Sequence, residues 1–264
     1  MNRFIWFGSF VLLSASFLNH AATIDISTGL VAKFEFNNGL VDIMGNVADA
    51  QIYSPSNGVV TTYDRFGGAN SAIKFTDTSN NGSSIWGSGI DLANKSLTIS
   101  LWFRAPLSST LDDVLGVNVG LGSYRPGGYN PGGSQGNNLL IRITPSMTIF
   151  SFFYDNMDVP QSAGSNVWNH LSVTFDQASS ARNMYLNGFL VGSEQAAFGF
   201  TGNNFFEIGG RRNVEIDDVR FYQRALTSTE NSYLYSVESV PEPSALSLLA
   251  VGLGGLAIIR RRRS

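Results

Sequence analysis

Ser96-Leu97-Thr98-Ile99-Ser100-Leu101-Trp102-Phe103-Arg104 carries the clearest strand pattern in the chain. Leu97, Ile99, Leu101 and Phe103 fall on one face, and Thr98, Ser100 and Trp102 on the other. That is the period-two alternation of a strand with one side in a core. Working outward, similar runs at Leu30 to Phe36, Leu139 to Ile143, Thr148 to Tyr154 and Leu171 to Phe175 predict further strands. So do Asn183 to Leu186, Phe189 to Gly192, Phe205 to Ile208 and Glu215 to Tyr222. Asn187-Gly188 supplies a tight hairpin turn between two of them. Strands with no long helix between them predict an all-β sandwich of antiparallel sheets. One or two helical turns are expected after Ala225, where Thr227 and Glu230 have capping-box spacing. Gly116 to Asn138 holds eight glycines in 23 residues and reads as a long surface loop.

Both ends of the chain read as addresses. Arg3, the apolar run Phe4 to Leu18 and the exit Asn19-His20-Ala21-Ala22 predict a signal peptide over residues 1–22, with an N-terminal membrane anchor as the alternative. The domain follows at 23–236 and a sorting segment at 237–264. In that segment Val240-Pro241-Glu242-Pro243 precedes an uncharged run from Ser244 to Ile259, then Arg260, Arg261, Arg262 and Arg263. The prolines keep the start extended. The apolar run would form a helix of roughly 24 Å at ~1.5 Å per residue, short for a ~30 Å hydrocarbon core unless the arginines snorkel. The basic cluster would stay on the cytoplasmic side of the membrane.

Removing Arg3 and the residues after Pro241 leaves 12 basic and 19 acidic residues, a net charge of −7. Such acidity argues against nucleic acid and anionic lipid as partners. The chain has no cysteine, which excludes disulfides, zinc–thiolate sites and cysteine nucleophiles.

The Pro-Glu-Pro turn, apolar run and terminal arginines together resemble the PEP-CTERM sorting signal of Gram-negative bacteria that make exopolysaccharide. The resemblance implies export, transient insertion in the inner membrane, and removal of the tail by an exosortase-type transpeptidase that recognises Pro241, Glu242 and Pro243. A plain tail anchor is the alternative. The body resembles laminin-G-like, concanavalin A-like jelly-roll domains across roughly residues 27 to 235. The residues that carry this are Gly29-Leu30-Val31-Ala32, Asp64-Arg65-Phe66-Gly67, Ala72-Ile73-Lys74-Phe75, Leu97 to Trp102, Trp168 to Phe175, Tyr185-Leu186-Asn187-Gly188 and Ile216 to Tyr222. It implies two curved antiparallel sheets packed face to face, and a function among lectins, adhesion modules and glycanases.

Glu215-Ile216-Asp217-Asp218-Val219 is the segment that chemistry singles out. Glucanases of this fold place Glu-x-Asp-x-Glu on one strand, but here Val219 stands at the third position, so a catalytic pair is incomplete. Strand parity puts Asp217 and Glu215 on the same side as Val219 and Phe221, facing the core. A carboxylate there needs donors or a cation. Two readings stay open: hydrogen bonds from backbone N–H groups or Lys33, or a structural Ca²⁺ held by Asp217, Asp42 and carbonyls near Asn37. The family resemblance raises the calcium reading modestly, because related domains often hold it. His170 has no Gly-x-Ser-x-Gly partner and reads as a packed strand histidine. Tyr124 and Tyr129 in the glycine-rich stretch, with Trp86 and Tyr154, are candidate platforms for a sugar ring. The expectation is an exported, non-catalytic carbohydrate-binding or adhesion protein of an extracellular polysaccharide matrix, located at the cell surface. The alternatives are a secreted glycan hydrolase and a purely structural matrix protein.

Overall fold

The computed structural model describes residues 24–53, 58–78, 82–107, 114–120, 135–153 and 155–241. They form β1 (Leu30–Phe34), β2 (Gln51–Tyr53), β3 (Val59–Thr62), β4 (Ala72–Phe75), β5 (Ser83–Ser88), β6 (Leu97–Arg104), β7 (Leu115–Gly120) and β8 (Asn138–Ile143). There follow β9 (Met147–Ser151), β10 (Asn156–Pro160), β11 (Trp168–Phe175), β12 (Ala181–Leu186), β13 (Phe189–Gln195), β14 (Phe205–Gly210), β15 (Val214–Tyr222) and the helix α1 (Ser228–Glu238). One sheet runs β13-β12-β11-β6-β15-β4-β3 with β1 also paired to β15, and the other runs β10-β9-β8-β7-β14-β5-β2. Every pair is antiparallel, and the two sheets make a jelly-roll-like sandwich.

The alternation that predicted β6 is the one that builds the core. Leu97, Ile99, Leu101 and Phe103 are fully buried against the opposite sheet, whose strands contribute Leu115, Val117, Val119, Leu139, Ile141, Phe206 and Ile208. Phe206 joins the sheets, its ring centroid 5.5 Å from both Phe34 and Phe221. Each such side chain stabilises the sandwich by about 1.5–3 kcal/mol relative to exposure. At one seam, fully buried Arg182 closes the sandwich. Its guanidinium donates to the Asp155 carbonyl at 2.7 Å, to Asp155 Oδ1 at 3.0 Å and to Glu194 Oε1 from Nε at 2.9 Å.

Two sequence expectations are corrected. The stretch expected to be loop from Gly116 begins inside a strand, because β7 lies in the middle of its sheet, between β14 and β8. Glycines and Asn118 fill its outer face while Leu115, Val117 and Val119 take the core, so low apolar content there reflects one face only. The second correction concerns β15. Against β6, Asp217 pairs with Trp102 but Arg220 with Ser100, so one residue is extra on β15. Asp218, at φ 45°, is that bulge. A bulge reverses parity within a strand. Ile216, Val219 and Phe221 therefore all reach the core, while Glu215 and Asp217 face away from it.

Helix α1 runs eleven residues, longer than the one or two turns expected, and covers the outer face of the β6 sheet. Thr227 caps it: its side chain accepts from Glu230 N, and Glu230 answers to the Thr227 N–H. Buried Asn231 reaches Ser172 Oγ at 2.6 Å, and Tyr235 stacks on Trp102 at 5.7 Å. The polar face of β6 is thus the floor of a second, mixed layer.

Candidate functional site

Beneath the last turn of α1 lies a buried charged cluster, and beside it a cleft of about 480 Å³. β15 brings Asp217, Asp218 and Arg220 to the cleft, the turn between β3 and β4 brings Asp64, Arg65 and Phe66, and α1 brings Val237 and Glu238. The bulge is what places both Asp217 and Asp218 within reach of one cation. Arg65 Nη1 donates to Asp217 Oδ2 and Nη2 to Asp218 Oδ2, each at 2.6 Å, and Nε donates to the Glu238 carbonyl at 2.8 Å. The same guanidinium lies 4.5 Å over the Phe66 ring and 4.8 Å over Trp102. Burial and the neighbouring Asp218 charge push the Asp217 carboxyl up to about 7, because one guanidinium divided between two carboxylates does not offset both.

Glu238 is the second hub. It accepts from Trp102 Nε1 at 2.8 Å and pairs with Arg220, while His170 Nε2 stands 3.5 Å away. His170 is fully buried, its ring 5.2 Å from Trp102. Burial, with the charges of Arg220 and Arg65, lowers it to about 3, so it is neutral. It is a packed strand histidine.

Asp42 and Asp217 are each occupied by donors. Asp42 accepts four backbone N–H groups: Lys33 at 2.9 Å and Met44 at 3.1 Å on Oδ1, Asn46 at 2.9 Å and Val47 at 3.1 Å on Oδ2. Asp217 Oδ1 accepts from the Asp218 N–H at 2.8 Å, and Lys33 pairs with Glu35 instead. Among the described residues no group of three or more His, Cys, Asp or Glu is placed to hold a metal ion. Glu215 and Asp217 do share a face, but Glu215 is held by Arg104 and by Lys74 at 3.7 Å.

The outer face of the other sheet is different in kind. Gln51, Trp86, Glu207, Asn118 and Leu140 are direct cross-strand partners, forming one row over β2, β5, β14, β7 and β8. Trp86 is half-buried and stacks on Phe205, centroids 5.9 Å apart at 29°. Glu207 accepts from Ser84 Oγ. Asn138, on the same face and 1% exposed, has neither amide atom hydrogen-bonded. The half-buried aromatic plate of Trp86 can hold the flat apolar face of a ligand.

Pro241 lies on the rim of the cleft. Glu242, Pro243 and Arg260–Arg263, together with Tyr124, Tyr129 and Tyr154, lie outside the described residues. No helix among the described residues is long and apolar enough to cross a membrane, and the run 244–259 is not among them. Sequence reasoning missed Arg65, Glu238, Arg182 and Asn138. Only Arg65 stood in a quoted motif, and its partners are 152 and 153 residues away.

The family model described as the concanavalin A-like lectin/glucanases superfamily matches residues 67–230, and the PEP-CTERM protein-sorting motif matches 239–263. Paraclostridial mosquitocidal protein 1 of Paraclostridium bifermentans is 27% identical over 154 residues, 53% of this chain but 12% of the toxin. The crystal structure of that toxin's binding domain superposes with a TM-score of 0.59 at 22% identity, covering 78% of this chain and 52% of the binding domain. Domain 4 of a GH43 extracellular arabinanase from Geobacillus stearothermophilus, in complex with arabinotriose, gives 0.57 at 21% identity. It covers 78% of this chain and 98% of that one. The chain therefore spans about half of the toxin binding domain it matches and nearly all of the arabinanase domain.

Proposed function

The chain belongs to the concanavalin A-like lectin/glucanase superfamily, and on that premise we propose that it is an exported, non-catalytic carbohydrate-binding protein. The sorting motif at 239–263 implies passage through the cell envelope and processing by an exosortase. Its destination in this reading is the cell surface or a polysaccharide matrix. The observation that carries the binding assignment is the outer face of the seven-stranded sheet. There Trp86, stacked on Phe205, stands beside Glu207 and Asn118, with Asn138 buried and unpaired on the same face. The arabinotriose complex of the arabinanase domain supports a saccharide as the ligand class. The non-catalytic assignment is supported by the cations that hold Glu215 and Asp217.

A glycan array followed by calorimetry on the full chain tests this. Saturable binding that Trp86→Ala weakens at least tenfold, without release of reducing ends, supports the assignment. Binding to no glycan leaves the structural-matrix alternative, and glycan turnover replaces it with the hydrolase.

A further inference from the structure

The chain leaves the sandwich at a particular place. Ser239 closes α1, its N–H bonded to Tyr235 O at 2.9 Å, and Val240 and Pro241 then run along the rim of the cleft. Glu238, one residue before, is buried and fixed by Trp102, Arg220 and the Arg65 bond to its carbonyl. The exit is therefore anchored to the fold and does not hang from a linker. Only Glu242 and Pro243 separate Pro241 from the uncharged run that starts at Ser244. Three residues of extended chain reach at most ~11 Å. The headgroup layer on one side of a bilayer takes up roughly 5–8 Å of that. While the tail is inserted, the rim of the cleft must lie against the lipid headgroups.

The rim is suited to that position. Phe66, Val237 and Val240 line it and are 40%, 38% and 58% exposed. Ile43, whose N–H bonds to the Lys33 carbonyl of the cleft wall, is 49% exposed, and Tyr63, next to Asp64, is 61% exposed. The charges between these apolar groups are matched internally: Arg65 with Asp217 and Asp218, Lys33 with Glu35, Arg220 with Glu238. Asp64 Oδ1 accepts the N–H groups of Phe66 and Gly68, each at 2.7 Å. Groups already paired lose less on leaving bulk water than free ions do. The outer face of the other sheet carries exposed charged residues such as Asp158.

We propose that the apolar rim formed by Phe66, Val237 and Val240, extended by exposed Ile43 and Tyr63 on the adjoining segments, is a lipid-docking surface that seats the unprocessed protein on the membrane. It fixes which side of the sandwich faces the membrane before the tail is removed. This inference rests on the sorting reading of the tail. The acidic net charge makes a zwitterionic surface the fitting probe.

Because the chain has no cysteine, single reporters can be placed without background. Full-length F66C, I43C and D158C would each carry an environment-sensitive fluorophore and be reconstituted in phosphatidylcholine vesicles with and without a quencher lipid. Ile43 makes the test independent of the Phe66 contact with Arg65. Quenching at 66 and 43 at least threefold that at 158 is the expected result. A chain that floats with the vesicles while 66 and 43 stay as unquenched as 158 overturns the docking surface alone. A chain that does not float with vesicles at all overturns the sorting reading and the docking surface with it. Protection of 66 that requires the processing enzyme would assign the rim to that protein and overturn the lipid assignment.

Discussion

Replacing Asp217 with Asn should convert a flat pH–stability profile into a sloping one. In the folded protein Asp217 holds its proton up to about 7, against about 3.9 for an exposed Asp. It therefore contributes stability that is complete below the unfolded value and is lost as pH rises through 7. His170 acts in the opposite sense. Lowered to about 3 when folded, against about 6.5 unfolded, it costs stability as pH falls below 6.5, because only the unfolded chain takes up the proton. Between pH 4.5 and 6 the folded state holds one extra proton on Asp217 and lacks one on His170, so the two slopes cancel. Removing Asp217 leaves His170 unopposed, and one proton is worth about 1.4 kcal/mol per pH unit. Urea titrations followed by tryptophan fluorescence at pH 4.5, 5.25 and 6.0 should show D217N losing about 2 kcal/mol more than the parent over that interval. The loss of the Arg65 pairing shifts the whole D217N curve but not its slope. Parallel profiles for D217N and the parent would show that Asp217 titrates normally, and a flat D217N profile would show that His170 does; either result would refute the reasoning.

Other outcomes follow from single features. Arg182→Met should lower stability by about 2–4 kcal/mol, since it strands Asp155 and Glu194 at the seam, and should drop Tm by roughly 5–15 °C; a change under 2 °C would show that the seam carries no weight. Thr227→Ala removes one half of the capping box and should cost about 1 kcal/mol in urea melts. Asp42→Ala leaves four backbone N–H groups short of an acceptor and should destabilise by several kcal/mol, about 1 kcal/mol per lost bond. Chelation is expected to move Tm by less than about a degree, because Asp42 and Asp217 already face donors. A fall of several degrees in chelator would restore a structural calcium ion.

Sheet membership was readable for strands with one clean apolar face, such as β6, β11 and β12. It was not readable for β2 and β3, whose side chains are half or fully exposed and carry no alternation signal. β7 was hidden for the reverse reason: glycines on its outer face diluted the pattern of Leu115, Val117 and Val119. The capping box at Thr227 and the turn at Asn187-Gly188 were legible because they involve neighbours in the chain. Trp86 was named from sequence as an aromatic plate, but Glu207, Asn118 and Asn138 join it only through strand pairing.

Spacing within a few residues was enough to establish the class of fold, the hairpin, the helix start and the sorting motif. The direction in which Asp217 points came from strand pairing in three dimensions. One inserted residue at Asp218, at φ 45°, reverses the parity of β15, and nothing in the local alternation announces it. The same bulge hands both carboxylates to Arg65, 152 and 153 residues earlier, and so ties the outer face of the sandwich to the point where the chain departs toward the membrane.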